Sequence, residues 1–454
     1  MLELIEKLAQ KSPIAVMGRA LLENIFAPQK IDKIFREHRV AQRERNWLFS
    51  SIVALMTVVS CKIKPSIHAA YADIKDSAPA TLDSLYKKLA GTELCVSEAL
   101  VRETAKDMKE IMEHVHPDKQ EIIPGYRSRI VDGNKIAATD RRLEVQRNQP
   151  AAPLPGFALV VYEPACSLIT DTILCDDGHA QERKLLPRLA ELVELNDLWF
   201  ADRNFCCSAY LMNIDRRHGY FVIRQHASTP WQPLEELVFK GETETGEVWE
   251  QCGVITNPET GEQLTVRRVE IRLKTPTRDG DKVMSLFTNL PQEVSATVIA
   301  EAYRKRWWIE TAFQELQALL SGEIPTLCYP AAALFALCCS YVAYNILQCM
   351  VSTIEVSQPE EAREISTYYV SHAISETHHG LSLFSEEGDW VEFRVMSSSE
   401  LGGYLLKLGQ RVRYDAFAKR PPSKKKPVRK STKRKNHTST AKLLNQKTNN
   451  PPRP

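Results

Sequence analysis

The sequence predicts an α/β protein with helical regions on both sides of a strand-rich centre. Over the first 115 residues, apolar residues recur at three- and four-residue intervals, as in RNWLFSSIVALMTVVS, which is the spacing of amphipathic helices. From about residue 120 the pattern changes to short alternating or wholly apolar runs between turn residues, which indicates strands. Helical spacing returns near residue 296, so we expect one layered α/β core between two helical regions.

The charge of the chain is unevenly distributed. Although the 454 residues carry a formal net charge of only +2, residues 411–454 hold fifteen Lys and Arg residues against Asp415 alone. An acidic body with a basic tail predicts a polyanionic partner that is contacted through the tail and local basic patches. The eleven cysteines include no CxxC pair, which favours reduced thiols in a cytoplasmic protein over a disulfide framework or a zinc site.

Residues 1–120 are predicted to form a helical N-terminal region. Its start, MLELIEKLAQK, has acidic residues within the apolar run and therefore does not resemble a signal peptide. The segment KPSIHAAY, followed by short helical patterns, is compatible with a helix-turn-helix. Binding to DNA ends is our hypothesis for this region.

Residues 121–345 are predicted to form the core. SRIVDGNKIAAT predicts a strand with Asp132 near its end, then a turn at the glycine and a second strand. FALVVYEP and LITDTILC continue as strands, AQERKLLPRLAELVEL is helical, and LWFAD is a short strand ending at Asp202. A further helix and the strand GYFVIRQH follow. This order of elements is that of a ribonuclease-H-like core.

Three further segments complete the predicted organisation. Residues from about 227 to 290 alternate around turns and predict an inserted antiparallel β-subdomain. The uncharged stretch between Glu323 and Glu355 is long enough to span a bilayer, but it contains Ser340 and Asn345 and lacks a basic flank, so a buried helix and no membrane contact are expected. A helical C-terminal region over 346–412 and a basic tail over 413–454 follow; from Lys419 the tail has the composition of a disordered segment.

The stretch EAYRKRWWIETAFQELQALL, residues 301–320, predicts one uninterrupted helix with Ser295 able to cap its start. Its apolar stripe consists of Ile309, Ala312, Phe313, Leu316 and Leu320. Polar residues spaced by three, four and seven positions lie within about 60° of arc beside that stripe. These are Tyr303, Arg306, Glu310 and Gln317. A carboxylate at the rim of a core with such neighbours predicts a metal ligand beside nucleic acid; the alternative is that Glu310 only pairs with Arg306.

Three carboxylates are therefore candidates for catalysis and for binding a metal: Asp132, Asp202 and Glu310. In a ribonuclease-H-like sheet the first and fourth strands are neighbours, so the two aspartates can face each other, and the helix brings Glu310 over their ends. Hard oxygen ligands of this kind suit Mg²⁺ or Mn²⁺. The alternative is that the strand-end aspartates merely cap turns.

These residues also carry a family resemblance. The pattern Tyr-x2-Arg-x3-Glu-x6-Lys resembles the signature helix of DDE transposases of bacterial insertion sequences, in the insertion-sequence-four family. Tyr303, Arg306 and Glu310 match, whereas Gln317 stands at the position of the Lys. VDG at 131–133 and ADRNF at 201–205 resemble the other two motifs, in order and with the β-insertion before the third.

The resemblance implies a transposase that cleaves and joins double-stranded DNA at inverted-repeat ends and at a target, using Mg²⁺, with Mn²⁺ able to substitute. It also implies a homodimer on the DNA, and no nucleotide is expected because no Walker loop is present. The implied DNA contacts are Tyr303, Arg306, Gln317, Arg203 and Trp307. Of Trp307 and Trp308, at least one is expected in the core, and Trp231 or Trp249 of the insertion either stacks on a flipped base or packs.

Two alternatives share most of these features. A catalytically impaired transposase copy would bind the ends without cutting, and a structure-specific nuclease would share the core. The three acids favour an intact enzyme over the impaired copy, while Gln317 leaves that alternative open. The nuclease does not account for the signature helix.

Overall fold

The computed structural model describes residues 2–148, 150, 153–277, 280–384, 387–420 and 438–449. Helices α1 to α17 are Leu2–Lys11, Pro13–Ile25, Pro28–His38, Phe49–Ser60, Ile67–Asp73, Leu82–Ala90, Leu94–Val115, Leu186–Glu191, Ser208–Arg216, Ala296–Arg304, Trp308–Leu319, Pro330–Ser357, Thr367–Phe384, Val391–Val395, Ser398–Gly409, Tyr414–Phe417 and Thr440–Asn449. Strands β1 to β10 are Arg127–Lys135, Phe157–Glu163, Leu168–Cys175, Asp197–Ala201, Tyr220–Arg224, Trp231–Pro233, Val238–Glu242, Gly246–Thr256, Gln263–Leu273 and Val283–Thr288.

The strands form one mixed sheet in the order β3-β2-β1-β4-β5-β10-β9-β8-β6, with β7 also paired to β8. The first three strands are antiparallel to their neighbours, whereas β1, β4 and β5 are mutually parallel. Together with helices on both faces, this is the α/β architecture expected from the alternation of strand and helix patterns.

Residues of the central strands are buried on both faces of the sheet. Along β1, Ile130 belongs to an apolar core shared with the N-terminal helices and α12, and Val131 belongs to a second core shared with α8 and α9. Phe200 and Ala201 of β4 divide in the same way. This alternation follows from the two-residue period of a strand, and it gives each face of the sheet its own helical layer.

The apolar stretch after the signature helix forms α12, which is long and apolar enough to cross a membrane. However, 94% of its most apolar 18-residue window is buried inside the protein. It packs against α7 and β3, and the amide of Asn345 bonds both the main-chain N–H and the carbonyl of Ile169 at the start of β3. It is therefore a core helix, as predicted. It also runs through residue 345, so the expected boundary between core and C-terminal region falls inside one helix.

The predicted β-insertion is antiparallel, but it is not a separate subdomain. Strand β10 pairs with β5 through Phe287 and Ile223, so β6 to β10 extend the central sheet without a break. The alternation within each strand predicts its faces but carries no information about which distant strand it pairs with. The insertion is therefore part of the same rigid sheet as Asp132 and Asp202.

Two local predictions also differ from the structure. Residues 301–320 are not one helix, because a 3₁₀ turn at Lys305–Trp307 separates α10 from α11, although Ser295 caps α10 as expected. At Gly133 there is no turn, because β1 continues to Lys135 and pairs with β2 throughout. Glycine is permissive of turns but does not require one.

The prediction of disorder over 413–454 is wrong for the residues of that segment that the structure describes. Tyr414 is buried in α16, and Ala418 pairs with Ile365. Ser439 and Thr440 are also buried, and Gln146 donates to Thr440 Oγ1 at 3.0 Å. A few well-placed residues thus anchor a segment whose average composition is polar. Residues 421–437, which carry most of the basic charge, lie outside the described residues.

Candidate active site

The parallel register of β1 and β4 brings the two aspartates together. Ile130 lies opposite Phe200, and Asp132 and Asp202 each follow two residues later in the same direction. Since successive side chains alternate between faces, both carboxylates lie on the face of Ile130 and Phe200 and at the same edge of the sheet. Asp132 is still paired with Val160 of β2, whereas Asp202 comes just after β4 and begins a 3₁₀ turn.

The third acid reaches this edge because α11 packs on the same face of the sheet. Ile309, Ala312 and Leu316 are buried there, and the helix contacts β1. Glu310 follows Ile309 and remains about one-third exposed at the rim of the core. The amphipathic stripe predicted from the sequence therefore positions the carboxylate, as expected.

Arg306 joins two of the three acids. Its Nη1 donates to Asp132 Oδ2 and its Nη2 donates to Glu310 Oε1, both at 3.0 Å. The guanidinium side chain is only 7% exposed. The pairing alternative for Glu310 is therefore realised, and Arg306 is not positioned as the open phosphate contact that was predicted. It bridges Asp132 and Glu310 instead.

Burial and mutual repulsion make the acids reluctant to ionise. Burial raises the pKa of Asp132; Arg306 and the Gly133 N–H oppose this shift, and the charge of Asp202 adds to it. Burial also raises the pKa of Glu310, against the effect of Arg306. Burial disfavours the charge of Arg306, but the surrounding groups hold its pKa above the ordinary value. One guanidinium thus faces an excess of negative charge.

Tyr303 is placed differently from the prediction. Its ring is buried, and its hydroxyl donates to the carbonyl of Ala201 at 3.2 Å. Burial raises the pKa of this hydroxyl. Because Ala201 directly precedes Asp202, Tyr303 supports the end of β4 and does not present its hydroxyl to a phosphate. The helical spacing showed the correct face but not the depth of the side chain.

The remaining predicted DNA contacts lie on the surface. Trp307 and Trp308 are 59% and 43% exposed, so the expectation that one of them belongs to the core is wrong. Gln317 and Arg203 are also exposed, which rules out packing of Gln317 against α12. Arg306 lies 5.2 Å from the Trp307 ring centroid, so this exposed ring borders the acidic cluster.

The aromatic residues of the insertion differ in environment. Trp231 packs against Phe287 and under Arg268, which favours a packing role. Trp249 is partly exposed and packs with Phe239, with the Arg272 guanidinium 4.1 Å from its ring centroid.

The donor atoms of the cluster fit a divalent metal in their chemistry. Carboxylate oxygens are the ligands that Mg²⁺ and Mn²⁺ prefer, and a cation would compensate the repulsion that raises the carboxyl pKa values. Among the described residues, no group of three His, Cys, Asp or Glu side chains is already arranged to hold a metal ion. Asp132, Asp202 and Glu310 are brought to one edge, and Arg306 contacts two of them.

One acidic residue at this edge was missed in the sequence. Glu182 starts a 3₁₀ turn after β3, and its charge interacts with those of Asp132 and Asp202. It belongs to no motif, and only the close approach of Gly133 within β1 would have pointed to it.

The fold and site thus define an α/β protein with an acidic cluster at the end of parallel strands. Residues 124–346 match the family described as "Transposase DDE domain". Through this segment the chain belongs to the DDE transposases of bacterial insertion sequences.

Two curated relatives from Escherichia coli are the putative transposase InsL for insertion sequence element IS186A (strain K12) and the transposase for insertion sequence element IS421. Each is 24% identical over 234 residues, which cover 43% of this chain and 58% of the relative. The chain thus spans less than two thirds of the length of these relatives. A piggyBac transposase, solved by cryo-electron microscopy in a synaptic complex with hairpin DNA, aligns over 84% of both chains at 10% identity, with a TM-score of 0.39.

Proposed function

We propose that this protein catalyses metal-dependent DNA strand cleavage and strand transfer at the inverted repeats of an insertion sequence, by a cut-and-paste route. The observation that carries the proposal is the meeting of Asp132, Asp202 and Glu310 at one edge of the sheet, from three segments far apart in the chain. The order β3-β2-β1-β4-β5, with three antiparallel strands followed by two parallel ones, supports a ribonuclease-H-like core.

In this proposal Asp132, Asp202 and Glu310 hold Mg²⁺ or Mn²⁺. The cation activates a water or a 3′-hydroxyl and stabilises the leaving oxygen in an in-line displacement at phosphorus. The work of the protein is to hold three carboxylates at one place. Tyr303 supports the strand end before Asp202, and Arg306 limits the movement of Asp132 and Glu310. The buried stripe of α11 anchors Glu310 on the sheet.

The exposed residues around the acids are proposed to bind DNA. Trp307 offers a flat ring for a sugar or base, Arg203 offers charge to a phosphate, and Gln317 lies two turns after Glu310 on α11. The helical region over 1–120 is proposed to recognise the ends, and the basic residues from Lys419 onward to add affinity for any DNA sequence. A homodimer on paired ends and a cytoplasmic location complete the proposal.

The test uses the full chain, Mg²⁺ and a duplex carrying the short inverted repeats that flank the gene. Asp132→Asn, Asp202→Asn and Glu310→Gln are each expected to lower strand cleavage by more than about 100-fold, because each removes an anionic ligand. End binding, measured by fluorescence anisotropy, is expected to stay within about threefold of wild type. Asp76→Asn and Glu191→Gln, at exposed sites away from this edge, are the matched controls.

The outcomes separate the alternatives. Near-wild-type cleavage in any of the three variants would remove that residue from the site. Tight and specific end binding by the wild-type chain without cleavage would favour the impaired copy. Cleavage that depends on the shape of the DNA and not on the inverted repeats would favour a nuclease.

A further inference from the structure

We propose that Glu182 is a fourth acidic residue of the divalent-cation site, a positioning residue that supports the three ligands and strengthens cation binding. This inference rests on the proposed function, because it concerns the same site. No motif or periodicity marks Glu182, so it is carried by the position of the residue in the structure.

The strand directions bring Glu182 to the catalytic edge. Strands β1 and β3 are both antiparallel to β2, so they run the same way and end at the same edge of the sheet. Glu182 lies in the connection that leaves β3 there, at the start of the 3₁₀ turn Glu182–Leu185. Leu185 and Leu186 are buried under the sheet beside this turn, which anchors the segment.

The Glu182 side chain reaches the two strands that carry the catalytic aspartates. A methyl group added at Gly133, next to Asp132, would lie 2.5 Å from Glu182 Oε1. On the other strand, Asn204, two residues after Asp202, donates its Nδ2 to Glu182 Oε2 at 3.4 Å. The carboxylate therefore lies between the neighbours of both aspartates. The glycine inside β1, where a turn was expected, provides the space for it.

The charges around Glu182 favour a cation over a purely structural role. Its interactions with Asp132 and Asp202 are repulsive, and Lys135 provides the attraction that opposes them. Among the described residues, however, no Lys, Arg or His nitrogen lies close enough to its carboxylate to form an ion pair. Four acids thus converge, while Arg306 is bonded to only two of them. Like charges held together in a partly buried site are stabilised by a bound cation.

The first experiment compares Glu182→Gln with Glu191→Gln in the full chain. Glu191 is an exposed glutamate at the end of α8, away from the cluster, so it controls for charge removal. Calorimetric titration with Mn²⁺, without DNA, is expected to show about tenfold weaker binding for Glu182→Gln and no change for Glu191→Gln. The Mg²⁺ concentration for half-maximal cleavage should shift in parallel. Equal Mn²⁺ affinity in the two variants would overturn the proposal.

The second experiment uses the close approach at Gly133. Gly133→Ala should displace the Glu182 carboxylate and weaken Mn²⁺ binding by a similar factor. In a Glu182→Ala background the added methyl group has room, so Gly133→Ala should have no further effect there. A full effect in that background would mean that the methyl group acts on Asp132 directly, which would also overturn the proposal.

Asp132→Asn separates failure of this inference from failure of the proposed function. If Asp132→Asn abolishes Mn²⁺ binding while Glu182→Gln leaves it unchanged, only the role of Glu182 is wrong. If the wild-type chain binds no Mn²⁺ and cleaves no DNA, the cation site itself is wrong, and Glu182 loses its proposed role with it.

Discussion

At the scale of single residues, the site depends on one buried positive charge. The Arg306 side chain is 7% exposed and bonded to acids that are themselves 23% and 32% exposed, Asp132 and Glu310. Removing one partner of a buried pair costs much more than the pair contributes, because it leaves the other charges uncompensated. Arg306 is thus expected to matter for folding as well as for catalysis.

Arg306→Met should lower the free energy of unfolding by about 3 kcal/mol at neutral pH. Its effect should also depend on pH. Burial already raises the pKa values of Asp132 and Glu310, and removal of the guanidinium raises them further. The folded state then holds protons more tightly than the unfolded state, so stability falls as pH rises from the ordinary carboxyl pKa of about 4 through the raised values.

Urea denaturation at several pH values between roughly 4 and 8 checks this sign. Arg304→Met is the control, since Arg304 pairs with Glu244 and Glu301 on the surface and should change stability by less than about 1 kcal/mol. A destabilisation by Arg306→Met that is the same at every pH would contradict the electrostatic explanation.

Gln317 is the residue at which this chain departs from the transposase signature. It is exposed on α11, seven residues after Glu310, so its side chain lies on the same side of the helix as the active-site acid. Gln317→Lys should tighten binding to end DNA by about fivefold, equivalent to about 1 kcal/mol, because a charged donor replaces a neutral one. Fluorescence anisotropy measures the affinity.

The thermal melting temperature of Gln317→Lys should remain unchanged, because no buried contact is disturbed. Gln410→Lys, at an exposed position in the C-terminal region, adds the same charge elsewhere. Equal tightening in both variants would show a general charge effect, and no DNA-facing role for Gln317 would follow.

At the scale of elements, the sequence predicted what depends on neighbours in the chain. The period-2 strands, the apolar stripe of α11, the Ser295 cap and the buried α12 follow from local patterns. The pairing of β10 with β5, the 3₁₀ turn within the signature helix and the depth of Tyr303 depend on long-range packing. The three acids were recognisable because their strand and helix positions are local features, whereas Glu182 has no such mark.

The C-terminal helix α17 is the clearest case of an element that composition hides. Thr440 is fully buried, its N–H bonds the Leu154 carbonyl, and its hydroxyl accepts from the buried amide of Gln146. Leu443 is buried as well. Two short contacts thus hold a segment that contains few apolar residues.

Thr440→Val should weaken this docking by about 1 kcal/mol, because it leaves a donor of Gln146 without a partner. Hydrogen exchange of residues 440–444 should become faster, while exchange in the central sheet should not change. Thr438→Val, at an exposed position two residues earlier, is the control. Unchanged exchange in Thr440→Val would mean that the docking does not depend on this hydrogen bond.

At the scale of the whole molecule, positive charge is concentrated near one end of the chain. Ten Lys and Arg residues lie between 419 and 435, between the ordered segments that end at Arg420 and begin again at Thr438. Deleting the tail would also remove the packed residues of α17, so substitution tests the charges more cleanly.

Replacing Lys424, Lys425 and Lys426 by Gln should weaken binding to end DNA and unrelated DNA by the same factor. The slope of log affinity against log salt should fall by about 0.9 for each phosphate that the tail no longer neutralises. Anisotropy titrations at several salt concentrations measure this slope. The same change at the exposed lysines Lys33, Lys106 and Lys407 is the control, and equal slopes for both triple variants would leave these tail lysines without a specific role.

The position of α12 in the chain also has a consequence for protein synthesis. This helix covers α7 and β3, which precede it by more than 150 residues, and nearly all of its side chains are buried. A nascent chain that has not yet reached Ser357 therefore exposes the apolar surfaces that α12 will cover, and it depends on chaperones until the helix leaves the ribosome. Chains cut short by a premature stop codon before this point are expected to aggregate or be degraded, so they would not persist as inhibitors that compete with the intact enzyme for DNA.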